Sequence, residues 1–383
     1  MKKLFAGDKG MYAIVTTLFL LSLIVTFSTV PYDEILGSSS TAVHLFKQLV
    51  YILIGVVVIF LFSHVNYRKR IFKIGSLSLF AFSLVTSVLM LIIGIERDDA
   101  IRDLSIFGVS FQPFEFLKIT FFFYLCYIFT RGYTLINSSL KYFVLYVAAP
   151  VLLVCGLIFG HKSSSAIIIF AAFMLLCYVV KLNWKYVLSL VGVTVLAVTL
   201  VVLLKTNSRA ATTGVSRVTD FVESVFSNDN VYKDIDDPKI AIGNGGLFGT
   251  FPGNSEVKYY LANAESDFVF SILVEEGGLL VGIFVVMVYV LFLFRVMMIM
   301  FRCQDDYGKL LAFGLGALII VQVFVHLCVA VGLLPITGEQ LPLVSRGGSS
   351  LVAYCIAIGV LQSVASHNVK KEKEVKDEIV ENE

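Results

Sequence analysis

Runs of about 20 apolar residues, separated by short polar turns, recur along most of this chain. A bilayer's hydrocarbon core is about 30 Å thick, so a helix needs roughly 20 mostly apolar residues to cross it. The pattern predicts ten spans, at roughly 11–30, 46–64, 71–94, 113–131, 143–160, 163–180, 185–205, 268–292, 308–332 and 349–366. The expected fold class is an all-α integral membrane protein with about ten transmembrane helices, residues 1–369 forming one polytopic unit. Two segments interrupt the rhythm. Residues 206–266 form a long polar loop between helices 7 and 8, far above the usual connection length. The end, "KKEKEVKDEIVENE" at 370–383, alternates charge without aromatics and reads as a disordered, solvated tail.

Charge sets the orientation. With the N-terminus inside, fourteen Lys and Arg fall on the inner side, among them Lys2, Lys3, Arg68, Lys69, Arg70, Lys73 and Arg131. The short outer loops hold five: Lys47, Arg97, Arg102, Lys162 and Arg346. The positive-inside rule then makes both termini cytoplasmic and the 206–266 loop extracytoplasmic. Lys2, Lys3 and Lys9 precede an apolar run long enough to span, with no A-x-A-like site after it, so the first run reads as a helix and not as a cleaved signal.

Composition agrees. Hydrophobic residues are 58% and charged residues 15% of the chain, where a soluble domain is nearer a quarter charged. A net charge of +2 with no basic stripe argues against nucleic acid. The six cysteines lie in or beside apolar runs, which points to buried thiols and not to a disulfide framework. The five histidines show no ligand spacing, so no zinc site is expected.

Against that background, polar residues at span ends draw notice. In "AESDFVFSILVEEGG", 264–278, Asp267 falls at the outer mouth of the eighth span. Glu275 lies about 12 Å deeper at 1.5 Å per residue. An acid inside a membrane faces protein or a watery cavity. A helix dipole accounts for Asp267 and Glu265 without any function, but not for Glu275 and Glu276. In "FQPFEFLKI", 111–119, Glu115 and Lys118 share a helix face, either as a self-neutralising pair or as a cationic point for a phosphate. In "LPITGEQLPLVSRGGSS", 334–350, Pro335, Gly338 and Pro342 oppose helix. Ser345, Arg346, Gly347, Gly348, Ser349 and Ser350 there read either as a capped turn or as an anion site at a helix N-terminus. The glycines of "IGNGGLFGTFPGNSEVKYY", 242–260, lack the strand–turn–helix context of a nucleotide fold and read as shaping an ordered loop, where Lys258 and Arg217 add charge. All four sites fall on the outer side, as for a protein handling a phosphorylated substrate there.

These segments, in this order, resemble the FtsW/RodA/SpoVE, or SEDS, family of bacterial wall-building membrane proteins. "FQPFEFLKI" is similar to F-Q-P-S-E-x-x-K, and "AIGNGGLFG" to A-x-x-x-G-G-x-x-G. "SDFVFSILVEEGG" is similar to T-D-F-I-F-x-x-x-x-E-E-x-G, and "LPLVSRGGSS" to L-P-x-x-S-x-G-G-S-S. The resemblance implies a peptidoglycan glycosyltransferase that polymerises lipid II at the outer face of the bacterial cytoplasmic membrane, most like the FtsW branch that serves cell division. Asp267 would be its general base, and undecaprenyl diphosphate the leaving group, with inversion at the anomeric carbon. A lipid II flippase and an elongation polymerase remain as alternatives. The resemblance further implies substrate contacts from Arg102, Glu115, Lys118, Lys258, Glu275 and the Ser345–Ser349 turn, and Mg²⁺ or another divalent cation with no organic cofactor. Partners would be a class B penicillin-binding transpeptidase and other division proteins. The chain departs from the family where P-D-x-G-T is replaced by "HKSSSA", 161–166, and at Phe114, Asp103 and Arg346, which replace Ser, Trp and Tyr.

Overall fold

The computed structural model describes residues 7–29, 41–93, 95–97, 100–106, 109–203, 233–261 and 263–381. Eleven α-helices are described. They are α1 (Lys9–Thr29), α2 (Thr41–His64), α3 (Arg70–Ile93), α4 (Pro113–Ser138), α5 (Leu140–Phe159), α6 (Ser163–Val180), α7 (Trp184–Leu203), α8 (Lys233–Gly245), α9 (Val269–Arg302), α10 (Asp306–Ala330) and α11 (Gly348–Glu381). Among the described residues nine helices are long and apolar enough to cross a membrane, and α7 supplies a shorter apolar stretch, Trp184–Leu200. The expected ten spans are thus nine plus one short helix. Both α4 and α9 outrun their apolar cores. A helix continues past the hydrocarbon as long as its backbone bonds are made and no breaker intervenes.

Local sequence explains several boundaries. Pro113 opens α4 at its first turn, where its missing N–H costs nothing, with Glu115 beside it on the positive end of the dipole. Asp305 caps α10 by accepting from the Gly308 N–H at 2.7 Å. Lys181 closes α6 in the left-handed conformation at φ 58°. The middle of α5 widens into a π-turn over Val144–Ala148.

Two features differ from the sequence reading. The connection from α3 to α4 is not wholly irregular: β1 (Ile95–Arg97), β2 (Ala100–Ile106) and β3 (Val109–Phe111) form an antiparallel sheet in that order, with Ile95 opposite Asp103 and Leu104 opposite Phe111. β-branched residues at 95, 101, 106 and 109 favour extended backbone in strands too short for the span pattern to reveal. At the other end, α11 runs on to Glu381 through residues read as a disordered tail. Lys370–Glu374, Glu372–Lys376 and Lys373–Asp377 are spaced i, i+4, a pattern that supports a helix without a packed face.

α11 is the most enclosed span and packs on α2, whereas α2 and α3 are the most open. Small residues let the backbones close: a Cβ on Gly55 would lie 2.6 Å from Cys355 Sγ, and one on Gly359 would lie 3.1 Å from the Ile59 carbonyl. α10 packs on α6, α9 and α4. One large core results, joined by a smaller cluster that includes Val257, Leu261, Phe268 and Ile272, with exposed apolar residues such as Leu53, Val57, Phe82 and Ile92 left to face lipid. All six cysteines are free and buried.

The long loop is partly ordered against α9, while residues 204–232, including Arg217, lie outside the described residues. Residues 245–258 fold over a break in α9 at Gly278, where φ is 74°. Backbone meets backbone there. The Leu279 N–H donates to Gly246 O at 2.9 Å, and the Thr250 and Phe251 N–H groups donate to the carbonyls of Glu275 and Glu276 at 3.0 and 2.9 Å. A Cβ on Gly249, which has φ 79°, would sit 2.1 Å from the Glu276 carbonyl oxygen. Gly249→Ala therefore meets both a backbone clash and a left-handed conformation, the latter alone costing about 1–3 kcal/mol. Its thermal midpoint in detergent should fall well below wild type, while Gly243→Ala, with open space at its Cβ, should stay close to wild type.

Candidate active site

Asp267 stands in the turn that feeds α9, just before Phe268. Its N–H donates to Asn263 O at 2.9 Å, and Ser266 Oγ donates to its Oδ1 at 2.8 Å. The carboxylate is half-buried and points at the segment between α10 and α11: a Cβ on Gly338 would lie 3.3 Å from Oδ2. That segment and the turn are stitched together. Ser345 Oγ donates to Ser266 O at 2.7 Å and accepts from the Leu341 N–H at 2.8 Å. The Arg346 N–H donates to Glu265 O at 3.0 Å, and its guanidinium pairs with the Glu265 carboxylate at 3.7 Å and with His44 Nδ1.

The turn after Pro342 is thus largely committed to internal bonds. Ser345 and Arg346 position the Asp267 turn rather than offering an open anion cradle. Gly347 and Gly348 are glycines for space: a Cβ on Gly347 would meet Ser350 Oγ at 2.5 Å, and one on Gly348 the Tyr51 ring at 2.4 Å. Ser349 lies half-buried at the first turn of α11.

Next to Gly338, Glu339 enters a buried charge network. Its Oε1 lies 3.4 Å from Lys162 Nζ and accepts from Ser164 Oγ at 3.0 Å and from Ser165 Oγ. Its Oε2 lies 4.0 Å from Lys118 Nζ. Lys118 also meets Glu115 Oε2 at 2.8 Å and donates to Gln322 Oε1 at 3.2 Å, while Lys162 lies 3.9 Å from Glu115 Oε1. The Tyr354 hydroxyl donates to Gln322 Oε1. Backbone anchors complete the set: Ser164 Oγ donates to Thr337 O at 2.9 Å, Gln322 Nε2 to Gln340 O at 2.9 Å, and His326 Nδ1 to Glu339 O at 2.8 Å. Two acids balance two lysines, which is what makes their burial tolerable.

Glu115 and Lys118 therefore form the self-neutralising pair that their spacing allowed, extended by two residues remote in sequence. The Lys118 side chain is 1% exposed and does not face an open space; Lys162, at 16%, is the more accessible cation. Sequence reasoning counted Lys162 only as a loop charge and passed over Glu339, although the replacement of P-D-x-G-T by "HKSSSA" marked that position as unusual.

Glu275 and Lys258 are taken up in a second, separate set of internal bonds. Glu275 takes Ser255 Oγ on one oxygen and the N–H groups of Glu256 and Val257 at 3.2 and 3.4 Å on the other. Glu276 accepts from Ser28 Oγ and from the Gly253 N–H at 3.0 Å. Lys258 is fully buried and donates to Ser28 O at 2.9 Å and Gly253 O at 2.6 Å. Burial pulls its pKa below the ordinary lysine value, with Glu276 and Glu275 opposing. These groups bind the glycine-rich loop to α9 and α1. Arg102 lies on β2, where side chains are outside the described residues.

Glu339 should reveal itself in acid. Burial alone would raise its pKa, but Lys162, then Lys118, then the Ser165 and Ser164 hydroxyls hold it below the ordinary glutamate range. A carboxylate with a depressed folded pKa stabilises above its unfolded value, about 4.3, and loses that stabilisation as pH falls through the folded value. The thermal stability of the wild type in detergent should therefore fall below about pH 4.3, and Glu339→Gln should lack this share of the loss. At neutral pH, Glu339→Gln should unfold more easily, since stripping one member from a buried ion set costs about 3–5 kcal/mol.

The architecture has solved counterparts. The chain superposes on one reported under "Structural coordination of polymerization and crosslinking by a peptidoglycan synthase complex" with a TM-score of 0.75 at 23% identity, covering 95% of this chain and 98% of that one. It superposes on the rod shape determining protein RodA of Thermus thermophilus with a TM-score of 0.66 at 24% identity, covering 94% and 97%. At these identities the likeness is one of fold. In sequence, the probable peptidoglycan glycosyltransferase FtsW of Bacillus subtilis strain 168 is 30% identical over 329 residues, 81% of this chain and 77% of that protein. The protein of the same name from Geobacter sp. strain M18 is 27% identical over 323 residues, 84% and 86% of the two chains. The cell cycle protein family of FtsW, RodA and SpoVE matches residues 9–370. With nearly its whole length matched, and with the helical frame and motif residues described above, this multi-pass membrane protein belongs to the FtsW/RodA/SpoVE family.

Proposed function

We propose that the chain is a peptidoglycan glycosyltransferase of the cytoplasmic membrane, joining lipid II units into glycan strands at the outer face with Asp267 as general base. One observation carries the reading. Asp267 is a half-buried carboxylate at the mouth of α9, set against the Gly338 segment, which the Glu115–Lys118–Lys162–Glu339 network holds in place.

The chemistry follows from that placement. A sugar hydroxyl is a weak nucleophile, and a positioned carboxylate takes its proton as the new bond forms. The 4-hydroxyl oxygen of the acceptor attacks the anomeric carbon of the donor, its proton passes to Asp267, and the bond to the diphosphate breaks. Attack opposite the leaving group inverts α to β. The departing undecaprenyl diphosphate takes the electron pair, and cations near its path lower the barrier. Lys162, at the exposed edge of the network, is one such cation, and Arg102 on β2 is the other candidate.

Among the described residues no group of three or more His, Cys, Asp or Glu is arranged to hold a metal. A divalent ion such as Mg²⁺ commonly takes one or two carboxylates together with substrate phosphates. Asp267 suits that role only with the diphosphate present, where the ion would supply charge neutralisation. Among known relatives, the name FtsW recurs, so a division role beside a penicillin-binding transpeptidase is the part of wall synthesis we assign.

Asp267→Asn keeps the shape of the side chain and removes its basicity. Folded protein carrying it should make no glycan strand from purified lipid II, a loss of at least 10²-fold by the usual worth of a general base. Polymerisation at the wild-type rate would remove Asp267 from the chemistry.

A further inference from the structure

The end of the bundle remote from Asp267 has the opposite electrostatic character. A cavity of about 520 Å³ opens between the start of α3, the later half of α4 and the first turn of α10, and four of its lining residues are Arg68, Arg70, Lys73 and Arg131. No acid lines it. Arg131 lies about 20 Å beyond Lys118 along α4 at ~1.5 Å per residue, so the cavity is at the other membrane face. That face holds the excess of Lys and Arg and is the inner one by the positive-inside rule.

Topogenic charge alone needs no cavity and no fixed geometry, yet three of these cations are held by tyrosines. Arg68 Nε donates to the Tyr67 hydroxyl at 3.0 Å, and Arg131 Nη1 to the Tyr127 hydroxyl at 2.8 Å. Lys73 Nζ stands 5.0 Å from the centre of the Tyr307 ring. Among the described residues, none of the four makes an ion pair with a carboxylate. Asp305, whose charge reaches Arg68, spends its side chain capping α10. The contrast with the other network is direct: there two acids neutralise two lysines, and here three of four cations are oriented by neutral hydroxyls and a ring, with no ion pair to a carboxylate among the described residues.

We propose that this cavity binds the phosphate of an anionic glycerophospholipid from the inner leaflet. Guanidinium groups suit phosphate oxygens bidentately, and basic pockets between transmembrane helices at the cytoplasmic side suit lipid headgroups. A lipid fits better than a free anion because Ile71 and Ile74, beside Arg70 and Lys73 on α3, are 82% and 47% exposed and offer an apolar surface for acyl chains.

The test uses the full chain reconstituted in phosphatidylcholine nanodiscs with or without phosphatidylglycerol, extracted gently and weighed by native mass spectrometry. Wild type should retain phosphatidylglycerol in preference to phosphatidylcholine. Arg70→Gln combined with Arg131→Gln should lower that retention on the order of tenfold or more, given the usual worth of a basic residue beside an anionic headgroup. Lys185→Gln, a basic change elsewhere on the same face, should leave it unchanged. Arg70 makes no side-chain hydrogen bond or ion pair among the described residues, so Arg70→Gln alone keeps the fold and should give a partial loss. Equal retention by wild type and the double variant would overturn the site. Wild type that binds inorganic phosphate in an Arg70-dependent way but shows no preference for phosphatidylglycerol would overturn the lipid as occupant.

Discussion

A charge buried within a helical bundle must find its counter-charge inside the protein, because neither lipid nor neighbouring apolar side chains will solvate it. At the outer end of this bundle that requirement is met by Glu115, Lys118, Lys162 and Glu339, contributed by α4, the turn before α6 and the segment before α11. Satisfying it has a structural by-product. Glu339 cannot reach both lysines unless residues 337–340 are drawn into the bundle, and once there their carbonyls are taken up by Ser164, His326 and Gln322. An irregular segment at this depth is stable only when its backbone is satisfied in this way. Gly338 is thereby set against Asp267, whose carboxylate Oδ2 would lie 3.3 Å from a Cβ at that position.

The other acids of the outer end have a related task. Glu275 and Glu276 sit inside an apolar helix, where an unpaired carboxylate would be costly, and they are paired with N–H and hydroxyl donors of the 253–257 loop and of α1. The break at Gly278 and the close approach of Gly245 and Gly249 let the loop come near enough to donate. These two carboxylates therefore fasten the glycine-rich loop to α9 and α1.

The two faces of the bundle treat charge differently. At the end that carries Asp267, acids and lysines cancel within a few ångströms, which gives rigidity. Inside, Arg68, Arg70, Lys73 and Arg131 surround a cavity without an acid in its lining, which leaves attraction for an anion. Membrane insertion accounts for the sign of the inner charge but not for its fixed geometry about an open volume.

The sequence by itself determined the parts governed by local or additive physics. Hydropathy placed the spans, because crossing the membrane depends on summed transfer energy over about 20 residues. Pro113 and the glycines of 242–253 announced a helix start and a tight loop, and Glu115 with Lys118 announced a pair, because each depends on neighbours within a turn or so. The place of Asp267 at a span mouth was legible from hydropathy. Only the tertiary structure decided what Glu275, Lys258 and Arg346 do, since their partners Ser255, Ser28 and His44 lie up to hundreds of residues away. It alone joined Lys162 to Glu339, because an ion pair across 177 positions has no periodicity to betray it. It also revealed the short sheet and the extension of α11, where weak local preferences carry no hydrophobic signature. Burial and long-range pairing are properties of the assembled bundle, and they decide what each of several plausible polar residues is bonded to.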